Sequence, residues 1–73
     1  MEVRIPVQAY MVIGTYSSEL LPDIEEWFIR NRFHEGVHWW FDFDFNRIGV
    51  DSLVFEKRRI AQLFHLTWCT FPL

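Results

Sequence analysis

The 73-residue chain has one cysteine, three glycines and three prolines. Cys69 alone excludes an internal disulfide framework and a four-cysteine zinc site, and it fits a reducing cytosol. A catalytic thiolate needs a base or cation beside it, and the flanking Trp68 and Thr70 supply neither. There is no glycine-rich phosphate loop and no Ser-His-Asp spacing, so nucleotide binding and triad catalysis have no support. The apolar runs Tyr10 to Ile13 and Trp39 to Phe41 fall far short of the roughly 20 residues that span a bilayer. The opening Met-Glu-Val-Arg lacks a signal-peptide pattern, so the expectation is a soluble, cytoplasmic protein without a membrane partner.

What is present is a surplus of rings. The sequence is 51% hydrophobic and 23% charged, and it holds eight Phe, four Trp and two Tyr. That composition packs a core and does not describe a disordered chain. The length suits one domain, 1–73, and a domain of this size buries only about 60% of its unfolded surface. Little stability is left for a deep catalytic cleft, so a non-enzyme without a cofactor is expected. Residues 1–44 carry eight acids against three bases, and 45–73 carry two acids against four bases. The net charge of −3 argues against bulk affinity for nucleic acid but leaves room for a local basic patch.

Val3, Ile5, Val7, Ala9, Met11 and Ile13 occupy alternate positions, the period of a half-buried strand. Pro6 cannot donate to a ladder, so either pairing begins after it or this portion lies at an edge, with Tyr10 to Ile13 central. Ser17 and Ser18 offer caps, Pro22 suits a first helical turn, and Asp23, Glu25 and Glu26 complement a helix dipole. A first helix follows, burying Leu20, Leu21, Ile24, Trp27 and Phe28, with Gly36 as its stop. In His38 to Asn46, Trp39, Phe41, Phe43 and Phe45 alternate with His38, Trp40, Asp42 and Asp44, which predicts a strand with one aromatic face. A hairpin connection over Asn46 to Gly49 leads to a third strand, Val50 to Glu56. Ile60, Leu63, Phe64 and Thr67 or Trp68 then mark a second helix, and Thr67 to Phe71 reads as a short last strand. The order β-α-β-β-α, with an optional final β, predicts an α+β ferredoxin-like sandwich: two helices on one face of an antiparallel sheet.

Three segments offer chemistry. His34-Glu35-Gly36-Val37-His38 matches H-E-x-x-H and there resembles the zincin metalloproteases. The resemblance would make His34 and His38 zinc ligands and Glu35 the base, provided that one helix runs through all five positions. Gly36 and the strand period from Trp39 onward place the two histidines in a loop and a strand end instead, so no metal is expected. Lys57-Arg58-Arg59 opens a helix, where positive charge is disfavoured by roughly 0.3–1 kcal/mol per residue. A nucleic-acid phosphate would repay that cost, unless Glu56 or the acids of the first helix neutralise the cluster.

The third signal is the rings left over from the core. With Trp39, Phe41, Phe43 and Phe45 facing the helices, Trp40 points to the other face, with Tyr10, Val12 or Val54 as neighbours. Trp and Tyr among acids have the composition of an interface. The expected partner-binding residues are Tyr10, Trp40, Asp42, Asp44 and Trp68, with Glu25 and Glu26 steering toward a basic surface. The stretch Phe55 to Trp68, with Ala61, Phe64, Leu66 and Trp68 as its motif residues, resembles the C-terminal part of short uncharacterised bacteriophage proteins. That resemblance implies a viral accessory protein that docks on a host or virion protein, while the leftover rings also fit docking on a second copy of the chain.

Overall fold

A computed structural model describes residues 2–13, 19–43 and 50–72, with Val50 described by its backbone alone. The chain runs β1 (Val3–Pro6), a 3₁₀ turn (Ala9–Met11), α1 (Pro22–Arg30), β2 (Trp39–Phe43), β3 (Val50–Phe55) and α2 (Arg58–Trp68). The strands form one antiparallel sheet in the order β1-β3-β2. Val3 and Trp39 flank Phe55, and Ile5 and Phe41 flank Leu53, so these six residues share a face. Both helices pack on that face, where Ile24 and Phe28 of α1 and Ile60, Ala61 and Phe64 of α2 complete the core with Met11 and Leu20.

Phe28 is the centre of the packing. Its ring stacks on Trp39 at 4.3 Å between centroids and 14° between planes, and on Phe64 at 5.5 Å and 10°. Phe55 closes the set at 6.2 Å from Phe28 and 5.2 Å from Phe64. One side chain of α1 thereby touches β2, β3 and α2.

The first strand is shorter than its alternation predicts. Pairing stops at Pro6, Ala9 to Met11 turn as a 3₁₀ helix, and the chain returns through the bridge Val12 to Leu20. Tyr10 and Ile13 are exposed, so this segment is not central. The edge reading of Pro6 is the one the structure supports, and the ladder explains it. The Val7 N–H donates to the Asp51 carbonyl at 3.0 Å, and bonded and non-bonded pairs alternate along an antiparallel ladder. Pro6, one residue back, therefore sits in a non-bonded pair with Ser52, and its missing N–H lies on the outer edge of β1, where no ladder bond is lost.

Helix α1 ends at Arg30, six residues before Gly36. Arg32 takes the left-handed position, φ +58°, that glycine usually fills. The Phe33 N–H donates to the Phe28 carbonyl at 2.9 Å and the Arg32 N–H to the Ile29 carbonyl at 3.0 Å, the two bonds of a Schellman motif. Phe33 then packs on Trp27 at 5.7 Å. Gly36 serves a different turn, with φ +85° and open space around it. At the other end, Pro22 occupies the first turn as predicted, Leu21 is the N-cap, and Ser17 and Ser18 lie outside the described residues.

Three more expectations change. Phe43 is 56% exposed, because β3 carries one extra residue, Asp51, opposite the Asp42 to Phe43 step, and the strand end leaves the helix layer there. Phe45, Asp44 and the hairpin connection lie outside the described residues. The final strand is replaced by helix: α2 continues to Trp68, the Thr67 hydroxyl donates to the Leu63 carbonyl at 2.8 Å, and residues 69–72 form no strand. Leu63 faces outward, although the helical spacing had placed it in the core.

Two substitutions test this account. Phe28→Ala should cost about 3–5 kcal/mol, a large share of the roughly 4–11 kcal/mol available to a domain of this length. Urea denaturation followed by circular dichroism would show this loss as a midpoint shifted to much lower urea, and an unchanged midpoint would remove Phe28 from the centre of the packing. Arg32→Gly relieves left-handed strain, set against the greater freedom of glycine in the unfolded chain, and should raise stability by about 0.5–1 kcal/mol.

Candidate functional site

The sheet face opposite the helices carries Arg4, Val54 and Trp40 in one row and Pro6, Ser52 and Asp42 in the next. Trp40 points here as the alternation predicts, and Val54 is its cross-strand neighbour. Arg4 pairs with Asp42 across the width of the sheet, and beneath this span Val54 and Ser52 are buried although neither helix covers them. Arg4 and Trp40 flank Val54 in its row, and Pro6 and Asp42 flank Ser52 in the next. Both partners of the ion pair are about half exposed, 56% and 41%, so its contribution is on the order of 0.2–1 kcal/mol.

Tyr10 does not join Trp40. Its hydroxyl donates to the Trp68 carbonyl at 2.9 Å and stands beside the Cys69 thiol. Burial pushes the Cys69 thiol above its ordinary range, partly offset by the Tyr10 hydroxyl, and keeps it protonated and weakly nucleophilic near neutral pH. Burial, followed by the neighbouring thiol, raises the Tyr10 phenol in turn. The tail folds back so that His65 Nε2 bonds the Phe71 carbonyl, and Phe71 packs edge-on against His65 at 5.5 Å. Trp68 ends α2 with its indole N–H buried and, among the described residues, without an acceptor. It lines a cleft of about 220 Å³ with Asp23, Glu26, Trp27 and Arg30, where Glu26 accepts from Arg30 at 2.8 Å.

The His34 to His38 segment is a turn. The His38 N–H donates to the His34 carbonyl at 2.9 Å, and the His34 N–H donates to His38 Nδ1 at 2.8 Å. A neutral His38 that accepts at Nδ1 carries its proton on Nε2, so neither nitrogen offers a lone pair while the turn holds. The zincin geometry of two histidines on one helical face is therefore not formed, and the Gly36 N–H instead donates to the Trp39 carbonyl at 2.7 Å. Among the described residues no group of three or more His, Cys, Asp or Glu side chains is placed to hold a metal ion. Lys57, Arg58 and Arg59 are exposed at the start of α2, and among the described residues none has the carboxylate partner expected from Glu56 or α1.

The predicted partner-binding residues thus divide among three places: Trp40 and Asp42 on the open face, Tyr10 and Trp68 at the α2 terminus with Glu26 in the cleft beside Trp68, and Glu25 in a separate groove, while Asp44 lies outside the described residues. Sequence reasoning missed two features. Arg4 as the partner of Asp42 was available, since both are polar positions in alternating strands. A groove of about 220 Å³ that joins Glu19, Leu20, Glu25 and Glu35 to Trp39 and Phe41 was not, because three separated segments form it. No helix among the described residues is long and apolar enough to cross a membrane. No protein family, curated protein or solved structure matches the chain.

Raised thiol and phenol values give the pH dependence a sign. Both groups bind their protons more tightly when folded, so their stabilisation is complete below the ordinary cysteine value of 9.0 and is lost as pH rises through the folded values. Thermal melts should fall as pH rises above about 9, and the double variant Tyr10→Phe, Cys69→Ala should flatten that decline. An equal decline in both proteins would show that other groups control alkaline unfolding.

Proposed function

We propose that this chain is a non-enzymatic protein-interaction module that docks through the open face of its sheet. The observation that carries this reading is Trp40 set beside the Arg4–Asp42 pair on the side that neither helix covers. An aromatic anchor bordered by a charged pair is the composition of an interface centre and rim. The element order with the sheet order β1-β3-β2 supports a ferredoxin-like build short of its last strand, in which one face packs the core and the other is left for recognition. The two clefts, at about 220 Å³ each, are smaller than the roughly 300–1,000 Å³ usual for small-molecule sites.

The partner is a larger protein or a second copy. A bacteriophage source, with the module occluding a host or virion surface from the cytoplasm, belongs to the same proposal through the resemblance of Phe55 to Trp68. In affinity capture from the native host, Trp40→Ala and Asp42→Arg should each remove a protein that the parent chain retains, or dissociate a homodimer measured by light scattering. Unchanged partner binding and unchanged mass in both variants would assign docking to another surface.

One observation favours a second reading, nucleic-acid binding. Lys57, Arg58 and Arg59 stand exposed and unpaired among the described residues at a helix end whose dipole already disfavours them. If that reading holds, single-stranded RNA binding weakens with salt, and Arg58→Ala with Arg59→Ala lowers both the affinity and the salt slope. Binding that the double variant leaves unchanged would remove this reading.

A further inference from the structure

The two edges of the sheet are not equivalent. On β1 the outward positions are Arg4 and Pro6, and Pro6 has no N–H to offer an added strand. On β2 the Glu56 N–H donates to the His38 carbonyl at 3.0 Å, which makes His38, Trp40 and Asp42 the residues bonded to β3. Trp39 and Phe41 therefore direct their backbone groups away from the sheet. The Trp39 carbonyl is taken by the Gly36 N–H at 2.7 Å, and the Glu35 to Trp39 bridge closes that end. Among the described residues the Phe41 N–H and carbonyl have no partner.

Beside this open stretch lies the groove lined by Glu19, Leu20, Glu25, Glu35, Trp39 and Phe41. Residues opposite each other in a ladder share a face, so the residue of an added strand that pairs with Phe41 projects to the Phe41 side, which is the groove side. A side chain there meets an aromatic floor and carboxylates from α1 and from the 34–38 turn. We propose that the Phe41 edge of β2 accepts an extended segment of a partner protein as an added strand, with an arginine or lysine seated in the groove against Glu25 and Glu35. Main-chain bonds supply affinity in this mode of recognition and the pocket beside the edge supplies specificity.

A second copy of the chain fits less well. Two β2 strands paired about Phe41 would set Phe41 of each copy over the partner's acidic groove and bring Phe43 of each against the edge that Glu35 and Gly36 already occupy. This inference rests on the reading of the chain as a protein-binding module but uses a different surface, so loss of partner binding at Trp40 and failure of the edge are read separately.

The test uses an acetylated, amidated heptapeptide of alternating threonine and valine with arginine at its centre, an analogue with glutamate at that position, and one N-methylated at the arginine. Tryptophan fluorescence titration of the full chain should give at least tenfold tighter binding of the arginine peptide than of either analogue. Glu25→Lys and Glu35→Lys, both at exposed positions, should each remove at least half of that preference, and the Phe41 amide should exchange more slowly when peptide is bound. Equal affinity for the arginine and glutamate peptides, no binding at 1 mM, or an unchanged Phe41 amide overturns the proposal. A peptide-free, concentration-dependent doubling of mass with Phe41 protected would overturn it too, by assigning the edge to a second copy.

Discussion

The stack of Phe28 between Trp39 and Phe64 is the contact on which the rest of this small domain depends. Centroid separations of 4.3 and 5.5 Å with planes within 14° lock one residue of α1 to β2 and α2 together. Trp39 is held a second time, because its indole N–H donates to the Phe33 carbonyl at 3.1 Å. Phe33 in turn is delivered by the left-handed turn at Arg32, which ends α1 one turn after Phe28. The helix end, the aromatic stack and the start of β2 form one closed loop of constraints over residues 28–39. That loop sets the shape of the 34–38 turn, and it explains why a zincin-like string of residues folds as something other than a helix.

With the stack fixing which face of the sheet is inside, strand geometry dictates what is left outside. Alternation sends Trp40 and Asp42 to the open face, where Arg4 reaches across to Asp42 and Val54 lies buried between Arg4 and Trp40 in the sheet. The surplus of rings divides accordingly. Phe28, Phe55 and Phe64 are fully enclosed, Trp27, Phe33, Phe41, Trp68 and Phe71 pack against that core while remaining partly visible, and Phe43 and Tyr10 are largely exposed. Partial exposure of so many rings follows from size, since a two-layer domain of this length has too little interior for fourteen of them.

Local patterns were legible where one strong periodicity acted alone. The alternation from Trp39 to Asp42 stands as read, Ile24 and Phe28 are the buried residues of α1 with Trp27 half-buried beside them, and the third strand stops at Phe55, one residue short of the reading. The same period misled over residues 7–13, because Met11 is buried, and Val7 half-buried against the core, where the chain turns as a 3₁₀ helix and not by continued pairing. The end of α1 was misplaced for a chemical reason. Glycine announces a left-handed residue and arginine does not, so the signal at Gly36 outweighed the turn at Arg32, where tertiary packing of Phe33 on Trp27 stabilises the unfavourable φ. At the C-terminus, β-forming residues such as Thr67 and Trp68 continue a helix because their side chains find partners on it and beneath it. The acidic groove was invisible in one dimension, since Glu19, Glu25 and Glu35 belong to segments brought together only by the stack at Trp39.

The asymmetry of the sheet edges follows from the same register. A proline costs nothing at a position whose N–H would face outward, and there it also stops further pairing, so β1 carries its own guard in Pro6. On β2, Asp42 is spent on Arg4 and Pro is absent, so among the described residues no comparable guard covers Phe41. Exposed edges that lack protection are liabilities unless something regularly occupies them. On the proposed docking mode, carboxylates beside the edge would serve both needs, disfavouring a second copy of this acidic chain there and favouring a basic segment. Three of the eight acids of the first 44 residues, Glu19, Glu25 and Glu35, come from separate segments to line the groove beside this edge, where the proposed basic segment would meet them.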